Sequence, residues 1–528
     1  MLATTHTVSL HGSIGHVIDV QVDLSDGVIG AILVGRPDAA INEARDRCRS
    51  AIRNSGFVWP VTKRVTILLS PADLPKRGPH FDLAIAVGVL AAADKEFPHG
   101  RLTGAAFIGE LTLDGRLRCV PGVLPMVMAA AARGIDTVYV PEPQVGEARM
   151  VDGVTVLGVR SLGQVMALLV GAVPPTAPPV EPMTSTPLLG WVDESGGDDL
   201  DLRDVYGMAD ARYALEIAAA GGHHLMLSGP RGSGKTTLAE RLPTILPDLA
   251  REEALELTAV YSLAGALAPG DGILLRPPFR APHHSASRTA VLGGGSGQVR
   301  PGEVSKAHHG VLLLDEFPLF PLDVIDAMRE PLESGLIRLS RGEEDAVFPA
   351  RAIVVFGANP CPCGEFSPHN PDHRCMCGEV ARRNYRRKIR GPILDRIDIT
   401  RHVEPVSAHE MDDVFGTPES SSVVAERVAR ARTAQTARFA GYPWRLNAHV
   451  PGPVLKRTWP LTDAAVGRVH KHLLDGALTQ RGSVRVQRLA WTVADLAGVE
   501  QPGPDELEVA LRLRRGDPLA SMTVRAAR

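Results

Sequence analysis

Residues 229–236 read GPRGSGKT, and this octapeptide constrains the chain more than any other stretch. It fits G-x-x-x-x-G-K-[ST] and stands between a short apolar run, HHLMLS, and a helical one, TLAERLPTIL. Strand, glycine-rich turn and helix in that order make a cradle for phosphate. The glycines let backbone N–H groups wrap the oxygens, and the helix N-terminus adds its dipole. Lys235 is expected to set a point charge on the β- and γ-phosphates and Thr236 to offer a hydroxyl to Mg²⁺. Gly229, Pro230, Arg231, Gly232, Ser233, Gly234 and Thr237 complete the expected nucleotide-binding set of this loop. A glycine-rich turn with no ligand is the competing reading.

A second stretch weighs against it. GVLLLDEF (310–317) describes a buried strand that ends in two carboxylates, and ligands of open α/β sheets bind at such strand ends. Asp315 is expected to hold the Mg²⁺ shell, and Glu316 to orient and polarise an attacking water. RAIVVFGAN supplies a third buried strand, ending on Asn359, whose amide can touch the γ-phosphate or that water.

At 528 residues the chain exceeds one ordinary core, so roughly two to four domains are expected. Residues 173–200, Pro-rich and then acidic, read as a linker. Before it, 1–172 alternates strand-like runs (VTILLS, VTVLGV) with Ala-rich helical ones, as in an α/β or α+β domain. After it, 201–405 alternates short apolar runs with helices, which predicts a parallel sheet covered on both faces. Residues 406–528 read as a small helical domain. The net charge of −3 excludes a globally basic protein, so any nucleic-acid contact must come from a local patch or a pore built by several copies. MLATTHTVSLHGSIGH lacks the pattern of a signal peptide, and no apolar run is long enough to span a membrane. A cytoplasmic protein without membrane contact is the expectation.

With these motifs in place the chain resembles the magnesium-chelatase-like ComM/YifB family of AAA+ ATPases. The resemblance is carried by DVYGMADARYALEIAAAGGHHLMLSGPRGSGKT, RPPFRAPHHSASRTAVLGGGSGQVRPGEVSKAHHGVLLLDEFPLF, FPARAIVVFGANPCPCGEF, GPILDRIDI and LTQRGSVRVQRLAWTVADLAG, in that order across most of 201–500. It implies a P-loop AAA+ parallel-sheet module with a C-terminal helical lid, assembled as a homo-oligomeric ring, expected to be a hexamer, with ATP and Mg²⁺ at subunit interfaces. It makes Asn359 the sensor-1 residue, Arg396 in LDRID the arginine finger, and Arg481 in TQRG the sensor-2 residue, with Arg485 as fallback. It adds Tyr206 and Gly207 of DVYGM to the nucleotide-binding set. A transition state that spreads charge over phosphate oxygens gains most from a guanidinium supplied by a neighbour, which agrees with the assignment of Arg396. Arg231 stands where a second proline is frequent in the family and His309 where asparagine is frequent; neither removes a ligand.

The resemblance also marks a helix-2 insertion over about 262–300 and a hairpin over 337–350 before sensor 1, both expected to face the ring's pore. Arg280, His283, His284 and Arg288 in the first, and Arg338 and Arg341 in the second, are expected to grip a DNA backbone, against the alternative of a structural loop. Adjacent residues of an extended chain point to opposite faces, so His283–His284 and His308–His309 are not expected to share a metal ion. LPKRGPHFDLAIAVGVLAA and FIGELTLDGRLRCVPGVLPMVMAAAARGI resemble the Lon-protease-like domain that precedes the ATPase in this family, an α+β fold of the ribosomal S5 domain 2-like type. Alignment puts His80 at the serine and Pro125 at the lysine of the proteolytic dyad, so a proteolytically dead domain is expected.

Four of six cysteines fall in NPCPCGEFSPHNPDHRCMCGE, at Cys361, Cys363, Cys375 and Cys377. Four thiolates complete a closed tetrahedral shell for structural Zn²⁺, with His369 and His373 in reserve; free thiols or disulfides are the alternatives. Just beyond, RRNYRRKIRG (382–391) has six basic residues and no acid, either a solvated face or a contact to DNA or a neighbouring subunit. Cys48 and Cys119 are expected to be small buried hydrophobes. The leading functional expectation is an ATP-driven DNA motor, a helicase promoting branch migration of recombination intermediates in natural transformation or recombination. The alternatives are a magnesium-chelatase-type remodeller acting on a partner protein without DNA, and a nucleotide-binding scaffold with negligible turnover.

Overall fold

The computed structural model describes residues 2–183, 200–268, 270–295, 299–341, 344–366, 374–388, 393–405 and 418–519. Linker residues 184–199, the reserve ligands His369 and His373, and the end of the basic run at 389–391 lie outside them, as does the side chain of Arg341.

The first unit is a seven-stranded mixed sheet in the order Gly30–Val34, Arg64–Ser70, Ile14–Ser25, Leu2–His11, Ala105–Phe107, Thr137–Pro141, Thr155–Val159. Leu2–His11 and Ile14–Ser25 form a long antiparallel hairpin, and the three strands beyond it run parallel. Helix Asp82–Ala93 is apolar all round after Asp82, which pairs with Arg47 at 2.8 Å, and is buried from Asp82 to Ala92. It packs on the hairpin face that carries Thr5 and Val22, where Gly88 lets it approach closely. Helix Val123–Ala132 covers the opposite face, with Ala129 against Gly15. Cys48 is fully buried among these elements. Cys119, just past the short strand Leu117–Arg118, is only half-buried, its Sγ 3.4 Å from the Glu181 carbonyl.

The second unit is built on five parallel strands in the order Phe279–Arg280, Val311–Leu314, Ile353–Ala358, Leu225–Ser228, Ile399–His402. Every residue of Val311–Leu314 and Ile353–Ala358 is buried, which is why these strands read as unbroken apolar runs. Phe279–Arg280 lies within the span read as an insertion yet pairs with Val311–Leu312 as the edge of this sheet. The segment beyond it carries the short helix Arg288–Leu292 and a small ribbon, Gly293–Gly294 with Arg300–Pro301. Helices Ser421–Arg438, Gly452–Thr458, Asp463–Leu474, Gln480–Ala497 and Pro504–Arg515 follow. The first and fourth of these pack on Ala209–Gly221 and share its core.

The two units share one apolar core, in which Val8, Leu10 and Val127 meet Leu263, Val299 and Phe348. The turn of the first hairpin docks on the hairpin Leu336–Arg341/Glu344–Pro349: Ser13 donates N–H and Oγ–H to the Val347 carbonyl at 2.9 and 2.8 Å. Gly12, at φ +63°, is needed there, because a Cβ would lie 2.5 Å from the Val347 oxygen.

Both units bury a neutral histidine. His80 donates Nε2–H to the Val8 carbonyl at 2.8 Å, and burial lowers its pKa to about 4. His308 accepts the Arg351 N–H on Nδ1 at 3.0 Å, and burial again lowers its pKa to about 4. The unfolded chain holds these protons up to about pH 6.5, so the stability from neutral burial is complete above that value and falls as pH drops toward 4. Chemical-denaturation midpoints should therefore fall between pH 7 and pH 5, and His80→Gln should flatten that dependence.

Candidate active site

Parallel register brings the polar ends of three strands level. Ser228 pairs with Ala358, and Leu314 with Phe356, so the loop at 229, Asp315 and Asn359 emerge together at the C-terminal edge. Gly232 and Gly234 have φ of +72° and +84°, the left-handed values that bend the loop back to start helix Lys235–Arg241. Lys235 is buried and folds over this loop, its ammonium donating to the carbonyls of Gly229 at 2.8 Å and Pro230 at 2.7 Å. Burial lowers its pKa, and the carboxylates of Asp315 and Glu316 act in the opposite direction. Thr236 donates its hydroxyl to Asp315 Oδ2 at 2.8 Å. Asp315 faces Gly357, where a Cβ would sit 2.3 Å from its Oδ1.

Glu316 has φ +49°, a left-handed backbone that costs a glutamate about 1–2 kcal/mol. Its N–H donates to Asp315 Oδ1 at 2.8 Å. Its Oε1 accepts from Asn359 Nδ2 at 3.4 Å, and its Oε2 lies 3.5 Å from His284 Nδ1. Met208 reaches the loop from the start of helix Ala209–Gly221, against Gly234. Neighbouring Gly207 takes φ +63°, and Tyr206 is exposed. Gly229, Pro230, Arg231, Gly232, Ser233, Gly234, Lys235, Thr236, Thr237, Asp315, Glu316 and Asn359 thus gather at this edge.

The cysteine segment adjoins the same loop. Cys361 Sγ lies 3.3 Å from Cys363 Sγ and 3.6 Å from Cys375 Sγ, and all four sulfurs lie within 4.8 Å of one another. Tetrahedral coordination at a Zn–S distance of about 2.3 Å places sulfurs about 3.8 Å apart, so the donor set suits one such ion. Burial pushes the Cys361 thiol up, whereas a backbone N–H from Glu365 helps bring Cys363 down to about 6. The Gly364 carbonyl accepts the Arg231 N–H at 3.2 Å, joining the cysteine turn to the glycine loop. Helix Glu379–Arg387 follows, with Arg382 stacked on Phe366 and Tyr385 buried against Asn359.

Arg396 and Arg481 lie elsewhere. Asp398 aligns with His224, at the N-terminal ends of the strands, so the sheet stands between Arg396 and Lys235. A four-residue strand spans about 13 Å. There Arg396 and Arg481 line a cavity of about 770 Å³ between the sheet and the C-terminal helices. Arg485, the fallback for Arg481, is instead fixed to buried Asp398 at 2.6 Å.

The loop cations divide into engaged and exposed residues, and the histidine pairs differ from expectation. Arg280 is held by the Tyr261 hydroxyl at 2.7 Å and packs on that ring, while Arg338 pairs with Glu330 at 2.9 Å; Arg288 and His283 are exposed. The His308 and His309 rings lie side by side, 3.8 Å between centroids, and their Nε2 atoms meet Glu256 Oε2 at 3.1 and 3.0 Å. Alternation fails because His309 turns the chain at φ +58°. The His283 and His284 rings are also neighbours, at 4.1 Å. His308 accepts a backbone N–H on Nδ1, which leaves the proton on Nε2 to donate to Glu256 and opposes a metal there. In the first unit, His80 and Pro125 are both buried. Sequence reasoning missed Met208 and Tyr385, and it cast His284 as a DNA contact; each meets the site through tertiary packing that no local motif encodes.

The chain is similar to known proteins along most of its length. The family described as magnesium chelatase, subunit ChlI matches residues 201–411. The related families subunit ChlI of Mg-chelatase and the ChlI C-terminal family match 20–144 and 418–514. The uncharacterized protein Rv2897c of Mycobacterium tuberculosis is 45% identical over 517 residues, 97% of this chain and 99% of that protein. Competence protein ComM of Haemophilus influenzae is 38% identical over 515 residues, 97% of each. YifB of Escherichia coli is 37% identical over 518 residues, 98% of each. A local match to Lon protease 2 of Bacillus subtilis, 32% over 97 residues, covers 18% of this chain and 17% of that protein.

The tight fit of Asp315 against residue 357 gives a stability test. Gly357→Ala should push the carboxylate off Thr236 and lower unfolding free energy by about 1–3 kcal/mol. Unchanged denaturation midpoints would mean that Asp315 has room to move.

Proposed function

This chain belongs to the magnesium-chelatase ChlI-like AAA+ family together with ComM and YifB, and from that premise we propose that it is an ATP hydrolase whose turnover drives DNA remodelling. The observation that carries the reading is the meeting of Lys235, Thr236, Asp315, Glu316 and Asn359 at one sheet edge. On ATP binding Lys235 leaves the loop carbonyls for the β- and γ-phosphates, and the loop N–H groups take the remaining oxygens. Thr236 and Asp315 would hold Mg²⁺, which supplies Lewis-acid neutralisation of phosphate charge. Glu316 accepts a hydrogen bond from the attacking water and aims it at the γ-phosphorus, while Asn359 fixes the carboxylate and the phosphate edge.

Arg396 and Arg481, at the other end of the sheet, serve the triphosphate of a neighbouring copy, so the working form is a ring, proposed to be a hexamer. The Cys361, Cys363, Cys375 and Cys377 thiolates hold structural zinc, and the first unit serves assembly without proteolysis. Support for DNA as the substrate comes from the name of competence protein ComM and from the exposed Arg383, Arg387 and Lys388 beside the cysteine turn. Branch migration of recombination intermediates is the form of remodelling proposed. The second reading, a chelatase-type remodeller of a partner protein, is favoured by the description of the matching family itself.

Glu316→Gln should retain ATP and lower kcat about 100-fold or more, read by single-turnover hydrolysis and nucleotide binding. Arg396→Ala alone should be inactive, and mixing it with Glu316→Gln chains should restore turnover if sites are shared; no restoration would remove the shared site. Forked DNA should stimulate ATPase activity and be processed in an ATP- and salt-dependent way. A chain indifferent to DNA would leave the chelatase-type reading. Metal analysis of protein purified without chelator should find one zinc per chain.

A further inference from the structure

The cavity at the N-terminal ends of the strands is rich in cations, with Arg351, Lys456, Arg485 and Arg488 around Arg396 and Arg481. Among the described residues its acids are Asp398 and Glu333. Asp398 is consumed by Arg485 at 2.6 Å. Glu333, near the end of helix Arg329–Ser334, divides its two oxygens: Oε2 accepts from Arg396 Nη2 at 2.5 Å, and Oε1 lies 3.9 Å from Arg481 Nη2. One carboxylate therefore spans two guanidiniums that come from distant parts of the chain, a turn before the last strand and the start of helix Gln480–Ala497.

We propose that Glu333 is a positioning residue, setting the separation and aim of Arg396 and Arg481 so that both reach the triphosphate of the neighbouring copy. The proposal rests on the shared-site reading above. Two guanidiniums brought together repel, and each long side chain loses rotamer freedom when fixed. A carboxylate between them offsets both costs before the phosphate arrives, and small misplacement of such groups is expensive for the reaction. Glu333 is itself 56% exposed. Its contact with Arg481, 63% exposed, is screened and adds little stability, whereas Arg396 is 12% exposed and is the closer partner at 2.5 Å. Loss of the carboxylate should thus be felt in turnover more than in folding.

In the full-length protein Glu333→Ala should lower kcat about 10- to 100-fold and leave the KM for ATP within about twofold, because each chain's own loop still binds its nucleotide. Glu333→Asp, which keeps the charge one methylene back, should recover part of the loss. Oligomer size should match the parent, and melting temperature should fall only slightly. The decisive arm mixes Glu333→Ala with Glu316→Gln chains. Sites made from the loop of the first and the arginines of the second contain every native group, so turnover should rise above that of either variant alone. A local defect in the chain's own loop would not be rescued, and that result would overturn the assignment. So would an unchanged or raised kcat in Glu333→Ala, the latter marking Glu333 as a competitor of phosphate. The Arg396→Ala and Glu316→Gln mixture reports the shared site separately: rescue there with a silent Glu333→Ala sinks only this proposal.

Discussion

The parallel pairing of Leu225–Ser228 with Ile353–Ala358, and of the latter with Val311–Leu314, governs everything downstream. Three buried strands held in one register end at one level, and the first polar residue past each apolar run is delivered to a common edge. Asp315 can then accept from Thr236 across the gap, and Glu316 can meet Asn359. A slip of one residue in either pairing would turn side chains to the wrong face and part these contacts. The apolar strands thus act as rulers, and the chemistry is confined to the residues just after them.

The cysteine turn is part of the same edge. Its Gly364 carbonyl grips the glycine loop at Arg231, and the following helix lays Tyr385 against Asn359. The basic residues of that helix are therefore one short step from both the loop and the strand end.

Much of the edge could be read from the chain because each part is local: GPRGSGKT bends by its own glycines, and GVLLLDEF announces its burial and its terminus in eight letters. What escaped reading depends on partners far along the chain. Glu333 is an ordinary acid in PLESG until helix 480–497 brings Arg481 beside it. Arg280 looks like a loop cation, yet Tyr261 and Glu303 engage it. His308 and His309 break the rule of alternation because one left-handed residue reverses the chain. Residues 262–300 read as one insertion, and only pairing reveals that two of them complete the sheet.

The turn at Gly12 and Ser13, seated on Val347, carries a consequence for how this molecule can be divided. Leu263, Val299 and Phe348 are roofed by Val8, Leu10 and Val127. A fragment beginning near residue 201 would unroof them and present an oily scar beside the very hairpin that Ser13 tethers. Such a piece would tend to clump, and the leading unit is better regarded as a wall of the second unit than as a separable passenger.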